Sequence, residues 1–156
     1  MKEATATPEN ITIPDELRDI GERLRTQNNR STSDPMFCLQ ILVVETGLDP
    51  QYSDNRCWWN AEMCEVVYDN DPREDPDYQE WGKWEESGYR TRWETVKVFF
   101  TEEGCNQHMR LNGHNVKRMA HNGEVRTYVE HYGRCPEMMA IREWLMSLTA
   151  RKDESS

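Results

Sequence analysis

The ten residues Met36-Phe-Cys-Leu-Gln-Ile-Leu-Val-Val-Glu45 are almost wholly apolar and rich in branched side chains. A strand with one wet face alternates polar with apolar positions, so a run without that alternation has to be covered on both faces. The segment predicts a strand at the centre of a sheet, with material packed on each side. Aliphatic bulk for that material is scarce. Leu, Ile, Val and Phe make up only 25 of 156 residues, and the net charge is −10, a combination that falls in the range of disordered chains. Six Trp, six Tyr and eight Met make up the deficit, because an aromatic ring buries far more apolar area than a valine. The expectation is a folded domain with a Trp-rich core and a broad loop-like fringe.

Periodicity places the other elements around this strand. Residues 1–13 show none and read as a flexible N-terminal arm. Pro14-Asp15 opens a helix in which Asp15 is a candidate cap. Leu17, Ile20 and Leu24 share one face, and the helix should stop near Gln27. After the central strand and a turn-rich connection over 47–55, Cys57–Asn60 and Met63–Tyr68 read as hairpin strands. Residues 88–100 alternate Val96, Val98 and Phe100 with polar positions, a half-buried strand. Thr101-Glu-Glu starts a helix through Met109 and Leu111, which Gly113 can end in a left-handed cap, leaving His114 and Asn115 just beyond it. Residues 124–130 form a further strand, and Pro136 leads a last helix with Met138, Ile141, Trp144, Leu145 and Leu148 on one stripe. Together these predict one α+β domain over 14–148, with an acidic loop at 69–86 and a flexible tail at 149–156. Its architecture would be an antiparallel-leaning sheet of four to five strands with two to three helices packed on one face.

Acidity is confined to one stretch. Residues 45–86 hold thirteen Asp and Glu against three Lys and Arg, which equals the charge of the whole chain, whereas residues 87–134 are mildly basic. Within it, Asp69, Asp71, Glu74, Asp75, Asp77 and Glu80 alternate with Tyr78, Trp81 and Trp84. A solvating loop gains nothing from aromatics, whereas a surface that meets a basic partner uses carboxylates for steering and rigid rings as anchors. The simpler reading is a surface loop marked by Pro72 and Pro76 and pinned to the core by its rings. Direct binding to nucleic acid is disfavoured, because phosphate contacts need a basic footprint. No run approaches the length of a membrane-spanning helix, and the polar start is unlike a signal peptide, so a cytoplasmic protein is expected.

Five cysteines, an odd number, read as reduced thiols. Cys105-x-x-His108 with His131-x-x-x-Cys135 offers two thiolates and two imidazoles, but at spacings only loosely like those of a zinc site. Asp69, Asp71, Asp75, Asp77 and Glu80 fall near calcium-loop positions, yet Glu74 stands where that loop needs glycine. No metal and no cofactor are therefore expected. A phosphate-cradling glycine loop, a nucleophile elbow and a His-Glu-x-x-His helix are absent from the sequence, and no catalytic residue is assigned. The most enzyme-like feature is Asn112-Gly-His-Asn115, whose plainer reading is a helix-ending turn.

Thr26-Gln-Asn-Asn-Arg30, Pro35-Met-Phe-Cys-Leu-Gln40, Trp93-Glu94, Phe99-Phe-Thr101, Asn112-Gly-His-Asn115, Arg126-Thr-Tyr-Val129 and Ile141-Arg-Glu-Trp-Leu145 follow one another in an order that resembles a family of small acidic proteins of tailed bacteriophages and prophages. The resemblance spans roughly residues 26–148. It implies a phage or prophage origin and the cytoplasm of a bacterial host, and it carries no catalytic residue onto this chain.

Two functions are expected from these readings. The leading one is a non-enzymatic, anti-CRISPR-like protein that inhibits a bacterial defence factor by laying its acidic–aromatic surface on a basic nucleic-acid-binding groove. The alternative is a pocket protein for a nucleotide-like small molecule, with Arg90, Arg92 and Arg126 on phosphates and Trp93, His114 and Asn115 around a base. The expected partner is a host protein that handles nucleic acid, without membrane contact, and a homodimer is one expected state because exposed rings also suit symmetric interfaces.

Overall fold

A computed structural model describes residues 11–77 and 82–149. They form α1 (Asp15–Thr26), β1 (Pro35–Leu48), β2 (Asn55–Asn60), β3 (Glu65–Tyr68), β4 (Trp84–Phe99), α2 (Glu102–Met119), β5 (Val125–His131) and α3 (Pro136–Ser147), with short 3-10 turns at Pro50–Tyr52, Pro72–Glu74 and His121–Gly123. The strands make one curled antiparallel sheet in the order β3-β2-β4-β1-β5, an α+β fold. Contacts divide the chain into two compact units. Among the described residues, one comprises 11–38, Lys97–Leu111 and 127–149, and the other comprises 39–77, 82–96 and Asn112–Arg126.

In the first unit the core is Leu24 of α1 with Leu145 and Leu148 at the end of α3, bordered by Leu17, Ile20 and Phe100. The two helices come close because Gly21 is buried against the Leu145 carbonyl. The carbonyls at the α3 end, which no helical N–H can reach, are satisfied from α1. Arg25 Nη1 donates to the Met146 and Leu148 oxygens at 2.7 and 2.6 Å, and Arg18 Nη1 donates to the Thr149 oxygen at 2.7 Å. Thr101 begins α2 as expected, its Oγ1 accepting the Gly104 N–H at 3.0 Å.

The second unit is built on a hairpin. β2 pairs antiparallel with β3 and, on its other side, with β4. Asn60 is fully buried at the end of β2, and its Oδ1 accepts the N–H groups of Glu62 and Met63 at 3.0 and 3.1 Å. An Asn side chain that mimics a turn carbonyl in this way fixes where the hairpin reverses. Tyr68 stands edge-on to Tyr89 and to His121, with ring centroids 5.0 and 4.8 Å apart.

Several sequence expectations are corrected. β1 is covered on both faces over its first half, but β4 holds the middle of the sheet. Pro14 takes the cap position of α1, and Asp15 lies in the first turn. Val98 is 53% exposed, while Phe100 packs against the Leu24 core and Phe99 lies beside the His108 ring. On α3, Ile141 and Trp144 are exposed, and burial runs instead through Leu145 to Leu148. Trp84, Glu85 and Glu86, read as loop, open β4. The largest correction concerns Asn112-Gly-His-Asn115, which lies inside α2 rather than past its end. Val116, only 4% exposed, draws the next turn into the core, and that burial outweighs the helix cost of one glycine, about 1 kcal/mol. The chain turns at the second Asn-Gly pair, where Asn122 and Gly123 have φ of 53° and 69°.

Candidate functional site

The hairpin and the start of β4 bring one row of side chains to a common face. Residues directly opposite in adjacent strands share a side of the sheet. Trp59 therefore has Val66 on one flank and Glu85 on the other, while Cys57 in the next row stands between Tyr68 and Ser87. This face encloses an open cleft of about 560 Å³, to which Gly47 and Leu48 of β1 also contribute. The Ser87 hydroxyl accepts the Gly47 N–H at 2.8 Å and so ties the end of β1 to the cleft wall. The site thus has an apolar floor, one indole that is 38% exposed, and the exposed carboxylates Glu85 and Glu86 at its edge.

The Cys57 thiol that lines the cleft and the phenols of Tyr68 and Tyr89 in the neighbouring strands are all shifted toward their protonated forms. Burial pushes the Cys57 thiol up, the Ser87 hydrogen bond works against that shift, and the charge of Asp69 adds to it. Burial also raises Tyr68. Tyr89 is pushed up to about 12, first because its hydroxyl donates to Asp69 Oδ1 at 2.5 Å and then by burial. A protonated thiol is a poor nucleophile, so these groups suit packing and recognition better than covalent chemistry.

The acidic loop sorts its carboxylates into two kinds. Asp69 accepts from Tyr89 at a left-handed turn, with φ 67°. Asp71 caps the Pro72–Glu74 turn, accepting the Arg73 N–H at 2.9 Å, and its ion pair with the Arg73 guanidinium holds it below the usual carboxylate range. Asp75 Oδ1 accepts the Asp77 N–H at 2.9 Å, but Glu74, Asp75 and Asp77 are all exposed. Trp84 is half-buried at the start of β4. Tyr78, Glu80 and Trp81 lie outside the described residues.

The residues assigned to a nucleotide pocket are spread over different places. Arg90 and Arg92 both bond Glu45, at 2.5 and 2.9 Å, and the two guanidiniums hold the Glu45 carboxyl below its ordinary range. Arg126 lies 4.3 Å from the Trp93 ring centre, and its Nε donates to Gln40 Oε1 at 2.8 Å. One face of Trp93 is therefore filled by the protein's own arginine. His114 and Asn115 are exposed on α2. Of the candidate zinc ligands, Cys105 is buried with its Sγ 3.5 Å from Thr127 Oγ1, and His131 Nδ1 lies 2.8 Å from Thr32 Oγ1. Among the described residues no group of three or more His, Cys, Asp or Glu is arranged to hold a metal ion, and no helix is long and apolar enough to cross a membrane.

Trp59 and Glu85 were missing from the residues expected to bind a partner, although the sequence held a signal for them. Consecutive residues of a strand point to opposite faces, so Trp58 and Trp59 lie on different sides of the sheet, and Trp58 is 6% exposed against 38% for Trp59. Fold and face together define an acidic α+β protein with an aromatic cleft edged by carboxylates. Comparison with protein-family models, with curated proteins and with solved structures finds no match to this chain.

Proposed function

We propose that the chain is a non-enzymatic interaction protein that lays the acidic–aromatic face of residues 45–86 on a basic, nucleic-acid-binding groove of another protein. The observation that carries this reading is the division of the loop carboxylates. Asp69 and Asp71 shape the loop through Tyr89 and Arg73, while Glu74, Asp75 and Asp77 are exposed, and the same acidic segment carries a cleft with an exposed indole and the carboxylates Glu85 and Glu86. Duplex DNA presents a negative charge about every 1.7 Å of its axis, and a groove that fits such a polyanion attracts a dense row of carboxylates for the same electrostatic reason. The phage-family resemblance points to a bacterial defence factor as the partner and to the host cytoplasm as the setting.

The test is capture of the partner on the tagged protein at low and at high salt, followed by an assay of whether the captured partner still binds nucleic acid. Binding should weaken steeply with salt, and the captured partner should lose its nucleic acid. Reversing Glu74, Asp75 and Asp77 to Lys should abolish both effects without unfolding the chain, since all three side chains are exposed. Partner binding that survives both the triple reversal and high salt would refute the electrostatic mimicry.

A further inference from the structure

We propose that the cleft between Trp59 and Glu85 is a subsite for one arginine side chain of the basic partner, the guanidinium stacking on the indole and pairing with the carboxylate. This deepens the proposed function and rests on it. Trp59 and Glu85 are directly opposite in the β2–β4 pairing, so a planar cation on the exposed ring face comes within reach of the Glu85 oxygens. Val66 on the other flank and Cys57 and Leu48 beneath present apolar surface to the aliphatic stem. A cavity of about 560 Å³ lies within the usual range for ligand sites, roughly 300–1,000 Å³.

Two further observations select an arginine supplied from outside. The same unit already stacks an arginine on a tryptophan, Arg126 on Trp93 at 4.3 Å, whereas among the described residues no cation of the protein lies over Trp59. Of the protein's own nearby cations, Arg56 is held on Glu86 at the cleft edge at 3.2 Å, Arg73 pairs with Asp71 at 2.7 Å, and Lys83, two residues before Glu85, is an ammonium rather than a planar guanidinium. Guanidinium is preferred to ammonium because it is flat, is weakly hydrated, and can stack while donating two hydrogen bonds to one carboxylate. A lysine can satisfy only one of these demands well.

The test uses short peptides alternating glycine with arginine, the same peptides with lysine, and the same with uncharged citrulline, titrated into the ¹⁵N-labelled full-length protein at low salt. The arginine peptide should shift the Trp59 indole N–H resonance and the Glu85 amide and bind about tenfold more tightly than the lysine peptide, while the citrulline peptide should leave both signals in place. Glu85→Gln, a near-isosteric change at an exposed strand position, should remove most of the arginine preference, and Trp59→Leu should remove the rest. Equal affinity for the two cationic peptides, or arginine binding indifferent to both variants, would overturn the subsite while leaving the acidic face as a diffuse electrostatic surface. If neither cationic peptide binds, the subsite and the acidic-face reading are overturned together.

Discussion

A Cβ built on Gly21 stands 2.2 Å from the carbonyl oxygen of Leu145, so the approach of α1 to α3 depends on the absence of a side chain there. Two effects oppose each other in Gly21→Ala. Alanine is the better helix former by about 1 kcal/mol, but overpacking against a backbone atom that cannot rotate away costs about 1–3 kcal/mol, and separating the helices also weakens the hydrogen bonds from Arg25 to the α3 carbonyls. The variant should therefore be less stable by about 2 kcal/mol in chemical denaturation. A variant as stable as the parent would show that α1 and α3 are not packed this closely in solution.

The two Asn-Gly pairs have opposite roles, and one experiment separates them. Gly113 lies within α2, so Gly113→Ala should keep or raise stability, by up to about 1 kcal/mol. Gly123 has φ 69° after the helix, where a side chain meets the steric penalty of left-handed backbone, about 1–2 kcal/mol, so Gly123→Ala should destabilise. Thermal unfolding of the two variants reads the signs directly, and the reverse order would restore Asn112-Gly113 as the turn.

These positions also mark how far the sequence could be read. Strong local periodicity was legible: the α1 face with Leu17, Ile20 and Leu24, the branched run that became β1, the hairpin and the Pro136 start of α3 all fall where expected. Features that depend on pairing order were not. That β4 rather than β1 lies in the middle of the sheet follows from which strands meet, and nothing in a single strand's composition encodes its neighbours. A local Asn-Gly signal gave the wrong end of α2 because burial of Val116, a tertiary effect, prevailed. At the candidate site the acidity of the segment was plain, but the cleft is made by the register Val66–Trp59–Glu85 across three strands, and a one-residue slip would put Trp58 there instead.

Tyr89 makes the stability of the hairpin region depend on alkaline pH. Its hydroxyl, bonded to Asp69, titrates at about 12 against an ordinary value of 10.0. A group whose folded pKa is raised holds its proton more tightly in the native state, so folding stability from this bond is complete below pH 10 and is lost as pH rises toward 12. Tyr68 and Tyr132 are also raised by burial, so ultraviolet titration should show several late tyrosinates with Tyr89 about two pH units late among them, and Tyr89→Phe should remove its component and flatten the loss of stability over the same window. Asp69→Asn should lower the late titration toward its ordinary value by removing the charge. Native tyrosines that all titrate near pH 10 would contradict the Tyr89–Asp69 bond.

The five thiols should separate by exposure and charge into distinct kinetic classes. The thiolate is the reactive form, so a thiol that is both shielded and held protonated is protected twice. Cys38 is fully buried, and burial, with the nearby Glu130 carboxylate adding, pushes it up to about 11. Cys57 is raised by burial as well, and Cys105 is fully buried. Cys64 is exposed and Cys135 half-buried. Treatment of the native protein with a maleimide at neutral pH, followed by intact-mass measurement, should give one fast addition at Cys64 and a slower one at Cys135, with the other three appearing only in denaturant. Cys64→Ser should delete the fast phase alone. Rapid native labelling of Cys57 would mean that the cleft floor opens in solution, and the guanidinium subsite, which needs that floor closed beneath the arginine stem, would lose its apolar base.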